Sequence, residues 1–195
     1  MLRLTVFVSG RGSNLKSILD YFNLNNKVEI KLIVTDNSLC KALDIAKQNN
    51  IPFYCIDKKN SEQGFEYLIE LLKNEKVELI VLAGFLKLLS SSFVSNFKQR
   101  IINIHPALLP AFGGEGMYGI NVHKAVFQSG DKISGATIHF VDETYDTGNI
   151  IAQEKVDISE CKTPEEIAAK VLTIEHQLLP KVINDIVDGK IVIGN

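Results

Sequence analysis

The sequence is poor in cysteine, nearly balanced in charge, and free of any long apolar run. Its 195 residues contain three cysteines, Cys40, Cys55 and Cys161, which lack the short paired spacing of structural zinc sites. Buried apolar thiols are the expected state, and an odd count without an export signal suits a reducing cytoplasm. Met1 to Val8 is too short for the apolar region of a secretory leader. No apolar run approaches the roughly 20 residues of a membrane-spanning helix. With 21 basic and 23 acidic residues the net charge is −2, which gives no global field for holding nucleic acid or an anionic membrane. Binding specificity must therefore be local.

The chain is 46% apolar and 23% charged, as expected for one globular domain over residues 1–195. Short β-branched and apolar runs recur at Leu4 to Val8, Ile30 to Val34, Phe53 to Ile56, Leu79 to Ala83 and Ile101 to Ile104. Between them Asn14 to Phe22, Lys41 to Asn49 and Phe65 to Leu72 have helical spacing. This alternation predicts a parallel, doubly wound α/β sheet. Beyond Ile104, Pro106, Pro110 and four glycines from Gly113 to Gly119 predict a long functional loop. Two further strands, Ala136 to Val141 and Ile150 to Val156, flank an acidic turn too short for a crossover helix, so they should pair antiparallel. Thr163-Pro164-Glu165-Glu166 has the cap, the first-turn proline and the glutamate of a helix start. That helix should run to near Pro180, where a kink or break precedes Val182 to Val187.

Three stretches can carry chemistry. Ser9-Gly10-Arg11-Gly12-Ser13-Asn14 joins a strand to a helix, where backbone N–H groups can cradle a phosphate. It also reads as a tight turn capped by Ser13 or Asn14. It fits neither the GK[ST] phosphate loop nor the full GxGxxG fingerprint, since Leu15 takes the last glycine position. Asn103-Ile104-His105-Pro106 lies at the C-terminal end of a strand, where open α/β sheets place ligands, and alternation puts Asn103 and His105 on one side. An imidazole can transfer a proton and a carboxamide can donate to an oxyanion. The same pair can simply satisfy backbone groups beside Pro106. The third stretch runs from Gly135 through His139 to Asp142-Glu143-Thr144-Tyr145-Asp146-Thr147-Gly148. A carboxylate there could orient His105 and favour its charged form, or the cluster could be a solvated turn. His123 and His139 fit partly buried positions equally well. No HxxxH or HxH pair concentrates metal ligands and no G-x-S-x-G elbow is present.

In combination, Val8 to Leu15, Val81 to Ser90, Asn103 to Pro110 and His139 to Asp146 resemble the folate-dependent formyltransferase family in order and spacing. The resemblance spans nearly the whole chain. It implies a Rossmann-like α/β fold, with a mostly parallel twisted sheet flanked by helices and an antiparallel portion near the C-terminal half. It implies 10-formyltetrahydrofolate as co-substrate, no metal, and formyl transfer to the amine of glycinamide ribonucleotide in purine synthesis. By resemblance Asn103, His105 and Asp146 are catalytic, Gly12, Ser13 and Asn14 hold the acceptor's phosphate, and Glu175 lies near its ribose. Folate contacts fall on Leu86, Lys87, Leu88, Leu89 and Asn103, and on Asp142, Glu143, Thr144, Tyr145 and Asp146.

Lys87 stands where many relatives have arginine, and lysine lacks the planar bidentate grip on a folate carboxylate. Ser61-Glu62-Gln63-Gly64 occupies the stretch where a second family arginine would be sought. Among relatives, the tRNA-acting enzyme normally adds a basic C-terminal domain and the formyltetrahydrofolate hydrolase an N-terminal regulatory one. Length and charge therefore favour small-molecule substrates, with no nucleic-acid or membrane partner, in a cytoplasmic monomer or homodimer. A hydrolase without its regulatory domain and a non-catalytic folate or nucleotide binder are the alternatives.

Overall fold

The computed structural model describes residues 1–57 and 60–194. Its strands are β1 (Leu2–Phe7), β2 (Val28–Thr35), β3 (Phe53–Cys55), β4 (Leu79–Leu82), β5 (Ile101–His105), β6 (Ile133–Phe140) and β7 (Ile150–Asp157). The helices are α1 (Ser13–Phe22), α2 (Ala42–Gln48), α3 (Ser61–Asn74), α4 (Ser91–Asn96), α5 (Ile120–Ser129) and α6 (Pro164–Val187). One sheet has the order β3-β2-β1-β4-β5-β6-β7. It is parallel from β3 to β5 and antiparallel from β5 to β7. The expected mixed sheet is therefore present.

Strand alternation explains the two core layers. Leu4, Val6 and Val8 point to one face with Leu79, Val81, Ile102 and Ile104, where α1, α2, α5 and α6 pack. Phe7, Ile80, Leu82 and Ile101 point to the other, under α3 and α4. Such strands read as continuous apolar runs because both faces are covered. The chain leaves β1 toward β2 on one side and later returns to place β4 on the other. This reversal opens a crevice at the C-terminal ends of β1 and β4, the usual ligand position in such sheets.

Two expectations need correction. α6 continues through Pro180 to Val187 without a break. The missing N–H and ring clash cost about 3 kcal/mol, but Leu178, Leu179, Val182 and Ile183 are all buried around it. Each such burial contributes about 1.5–3 kcal/mol, so the apolar stripe outweighs the proline. Cys40 is buried, whereas Cys55 and Cys161 are half-buried, because β3 is a sheet edge and Cys161 lies in the turn before α6. The stretch from Gly113 to Gly119 contains no helix, as expected of the loop, and α5 begins directly after it. The short α4 also went unread, although its start is marked by Ser90, whose Oγ accepts from Phe93 N at 3.2 Å.

Candidate active site

A cavity of about 990 Å³ lies over the ends of β1, β4 and β5, at the upper end of the range for ligand pockets. Its first wall is the turn after β1. Gly12 has φ of 76°, and a Cβ there would come within 2.9 Å of the Ala42 side chain, so the turn needs glycine both for conformation and for the close approach of α2. No side chain caps α1, so none claims the N–H groups of its first turn. Gly12, Ser13 and Asn14 all line the cavity. Ser9 fixes this turn, its Oγ donating to Asp36 Oδ1 at 2.6 Å and accepting from Leu86 N at 3.0 Å. The second contact ties the first wall to the loop after β4.

Opposite the turn, the buried middle of α6 presents Glu175. Asn14 Nδ2 donates to Glu175 Oε2 at 2.7 Å. Burial pushes the Glu175 carboxyl up to about 7, against the pull of the Asn14 hydrogen bond. Asn14 Oδ1 is buried and has no hydrogen-bond partner among the described residues. Leaving such an acceptor unsatisfied costs about 1–3 kcal/mol.

The loop after β4 forms the next wall. Leu86, Lys87, Leu88 and Leu89 line the cavity, and Leu86 and Leu88 are about half exposed. Together they offer an apolar shelf with a cation beside it. Asp142, Thr144, Tyr145 and Asp146 line the same space, whereas Glu143 does not. Thr147 Oγ1 donates to both Asp142 oxygens, at 2.8 and 2.9 Å, and Thr144 N donates to Asp142 Oδ1 at 3.1 Å. These bonds fold the segment into a turn stapled by its own aspartate. Gly148 anchors the end of the turn, since a Cβ there would lie 1.7 Å from the Phe140 carbonyl oxygen.

At the base of the cavity Asn103, His105, His139 and Asp146 meet. Antiparallel register sets Asn103 opposite His139, so their side chains rise on one face. His139 Nδ1 lies 2.8 Å from Phe140 O, and its Nε2 lies 3.1 Å from Asn103 Nδ2. Asp146 has φ of 56°, a left-handed conformation that aspartate tolerates better than most residues. This turns its carboxylate inward. Asp146 Oδ2 accepts from Gly114 N at 2.9 Å and lies 3.5 Å from His105 Nδ1. Its Oδ1 lies 3.4 Å from His139 Nε2 and 3.5 Å from Asn103 Nδ2. Asp146 also borders a smaller cavity of about 360 Å³ behind the Leu109-Pro110 segment.

The electrostatics of this cluster are opposed. Burial pushes the Asp146 carboxyl up, but His139, His105 and the Gly114 N–H together hold it below the ordinary carboxylate value. Burial draws His105 below its ordinary value, while Asp146 and the Phe112 carbonyl pull it back up. His105 Nε2 lies 2.8 Å from Phe112 O, so both ring nitrogens face acceptors. That geometry is satisfied when both nitrogens carry protons. The site can thus share a proton between an imidazole and a carboxylate beside an amide donor.

All the residues assigned through the family resemblance line this cavity except Glu143. Sequence reasoning left His139 undecided, and the structure places it against Asn103 and Asp146. It did not anticipate the Phe112 carbonyl or the Gly114 N–H, which are backbone groups and carry no residue-type signal. Among the described residues, no group of three or more histidine, cysteine, aspartate or glutamate side chains is arranged to hold a metal ion. No helix among them is long and apolar enough to cross a membrane.

Residues 2–183 match the family model described as Formyl transferase. The chain is 44% identical over 194 residues to the chloroplastic phosphoribosylglycinamide formyltransferase of Arabidopsis thaliana, covering 97% of this chain and 66% of that protein. A Vigna unguiculata relative of the same name is also 44% identical, with 62% of its length covered. The chain thus spans just under two thirds of these chloroplastic relatives. The phosphoribosylglycinamide formyltransferase of Bacillus subtilis is 37% identical, with 95% of both proteins covered. Among solved structures, the phosphoribosylglycinamide formyltransferase of Anaplasma phagocytophilum superposes with a TM-score of 0.90 at 34% identity, covering all of this chain and 90% of that one.

Proposed function

The chain belongs to the formyl transferase family, and on that premise we propose that it transfers the formyl group of 10-formyltetrahydrofolate to the amine of 5′-phosphoribosylglycinamide. The products are formylglycinamide ribonucleotide and tetrahydrofolate, a step of purine biosynthesis. The observation that carries this reading is the placement of Asp146 between His105 and His139 beneath Asn103, in one cavity with the Gly12 to Asn14 turn and Glu175. Relatives that bear this activity in their names support it.

In this reading the N–H groups at the start of α1 receive the acceptor's phosphate, and Glu175 with Asn14 holds its ribose side. Leu86, Leu88 and Leu89 give apolar and backbone contacts to the flat pterin of the co-substrate, and Lys87 faces its acidic tail. The acceptor amine attacks the formyl carbon, and the carbonyl oxygen gains negative charge. Asn103 and the imidazolium of His105 donate to that oxygen. Asp146 sustains the charge on His105 and orients a water through which the amine proton leaves. The bond from the formyl carbon to the folate nitrogen then breaks, and the proton is delivered to that nitrogen. No covalent link to the chain forms.

Residues 1–195 act as one catalytic unit here, as a monomer or homodimer in a cytoplasmic setting. The reading is tested by following folate absorbance with and without 5′-phosphoribosylglycinamide. Tetrahydrofolate formation that depends on the acceptor is the expected result. Formate release at the same rate without acceptor points to a hydrolase and overturns it.

A further inference from the structure

His123 is a histidine that the mechanism above does not use. It sits in the first turns of α5, is 5% exposed, and lines the main cavity. Nδ1 is enclosed without a hydrogen-bond partner, and no hydrogen bond engages Nε2 among the described residues. Buried imidazoles are ordinarily hydrogen-bonded, and an orphaned ring nitrogen costs free energy in the empty site. Since Nδ1 is closed off, Nε2 is the ring nitrogen left to meet a ligand in the cavity that His123 lines.

Its surroundings indicate which ligand. α5 packs on α6, the helix that carries Glu175. His105 is close enough that its charge disfavours one on His123, and burial acts in the same direction, bringing His123 down to about 4. The ring is therefore uncharged at neutral pH. It lines the cavity within electrostatic reach of His105, at the reacting centre.

We propose that His123 is an acceptor-binding residue whose uncharged imidazole takes a hydrogen bond from the primary amine of the acceptor. This rests on the formyl-transfer reading above. An attacking amine must keep its lone pair on the formyl carbon, so an acceptor for its N–H fixes the rotamer that attacks. On attack the nitrogen becomes positively charged and its N–H a stronger donor. The hydrogen bond to His123 then tightens. So weak a base does not retain the proton, which passes on toward the folate nitrogen through the water beside Asp146.

The test compares His123→Leu, which fills the space without an acceptor atom, with His123→Gln, which keeps one. The measurements are steady-state kinetics for both substrates and thermal unfolding. For the leucine variant kcat/KM toward 5′-phosphoribosylglycinamide should fall between ten- and a hundredfold, with the 10-formyltetrahydrofolate KM within twofold of wild type. The glutamine variant should recover most of the loss. A folded leucine variant with unchanged acceptor kcat/KM overturns the proposal, as does a glutamine variant equally impaired or a parallel rise in the folate KM. If the leucine variant does not fold, His123→Ala takes its place as the variant without an acceptor atom: unchanged acceptor kcat/KM in a folded alanine variant refutes the proposal, and a tenfold or greater loss that His123→Gln recovers upholds it. Wild-type protein that transfers nothing to this acceptor removes the functional reading itself, a result distinct from an active wild type indifferent to the substitutions.

Discussion

Asn14 Nδ2 donates to Glu175 Oε2 at 2.7 Å, joining the first turn of α1 to a position 161 residues later in α6. The contact locks the phosphate turn to the helix that closes the acceptor side, and it spends one of the few polar partners available to a buried carboxyl. Glu175→Gln keeps an acceptor for Asn14 and can add a donor toward the orphaned Asn14 Oδ1, but it loses the carboxylate that would face a ribose hydroxyl. Charge-assisted hydrogen bonds contribute about 1.5–3 kcal/mol. The acceptor KM should rise about ten- to a hundredfold, while the folate KM stays within twofold. Equal changes in both constants would count against an acceptor-side role for Glu175.

Asp146→Asn isolates the charge of that carboxylate. Asparagine adopts the left-handed conformation at least as readily, and its amide oxygen can still accept from Gly114 N, so the turn should survive. What disappears is the field that raises His105 against the lowering effect of its burial. The His105 titration, followed by NMR of its ring protons, should move further down in the variant. Turnover should fall by about a thousandfold or more, since both proton transfer and oxyanion stabilisation depend on this group. An Asp146→Asn protein retaining a tenth of wild-type kcat removes Asp146 from the chemistry.

The elements that were legible in the sequence are those whose evidence is local. Leu79 to Leu82 is apolar without interruption, and Ile101 to Ile104 is apolar apart from Asn103, because helices cover both faces of their strands, and Thr163-Pro164 marks a helix start by composition alone. Asn103 and His105 were placed on one side by strand alternation. The partners of that pair were not legible from spacing. Asn103 meets His139 only through the β5–β6 register, and Asp146 turns inward only because its backbone is left-handed. Glu175 came from family resemblance alone, and nothing near residue 175 foretells Asn14. Pro180 misled because a local rule was weighed without the burial of its neighbours.

Lys87 is half-buried on the cavity wall, and no carboxylate pairs with it among the described residues. A single ammonium attracts an acidic folate tail as a point charge, without the two-pronged geometry of arginine. Lys87→Ala should raise the 10-formyltetrahydrofolate KM several-fold and leave kcat nearly unchanged. Lys87→Arg should lower it relative to wild type. The wild-type folate KM should also rise with ionic strength more steeply than that of the alanine variant, because an exposed ion pair is screened by salt. A folate KM indifferent to all three changes places the tail elsewhere.

Glu175 and His123 perturb stability in opposite directions over one pH range. Burial raises Glu175 from 4.5 to about 7, so the folded state holds a proton that the unfolded chain has released. Its contribution is fully present below pH 4.5 and is lost as pH rises through 7. Burial lowers His123 from 6.5 to about 4, so here the unfolded chain binds the proton first. Its contribution is complete above pH 6.5 and is lost as pH falls through 4. Between pH 4.5 and 6.5 each group supplies at most about 1.4 kcal/mol per pH unit with opposite sign, and the two largely cancel. Substitution of either should expose the other. From urea unfolding at pH 4.5 and 6.5, Glu175→Gln should gain stability relative to wild type toward the higher pH, by about 2–3 kcal/mol at most. His123→Leu should gain relative to wild type toward the lower pH, by a similar amount. His105, also lowered by burial, adds to the slope that Glu175→Gln reveals. Variants whose stabilities track wild type in parallel across this range would show that neither group changes its protonation on folding.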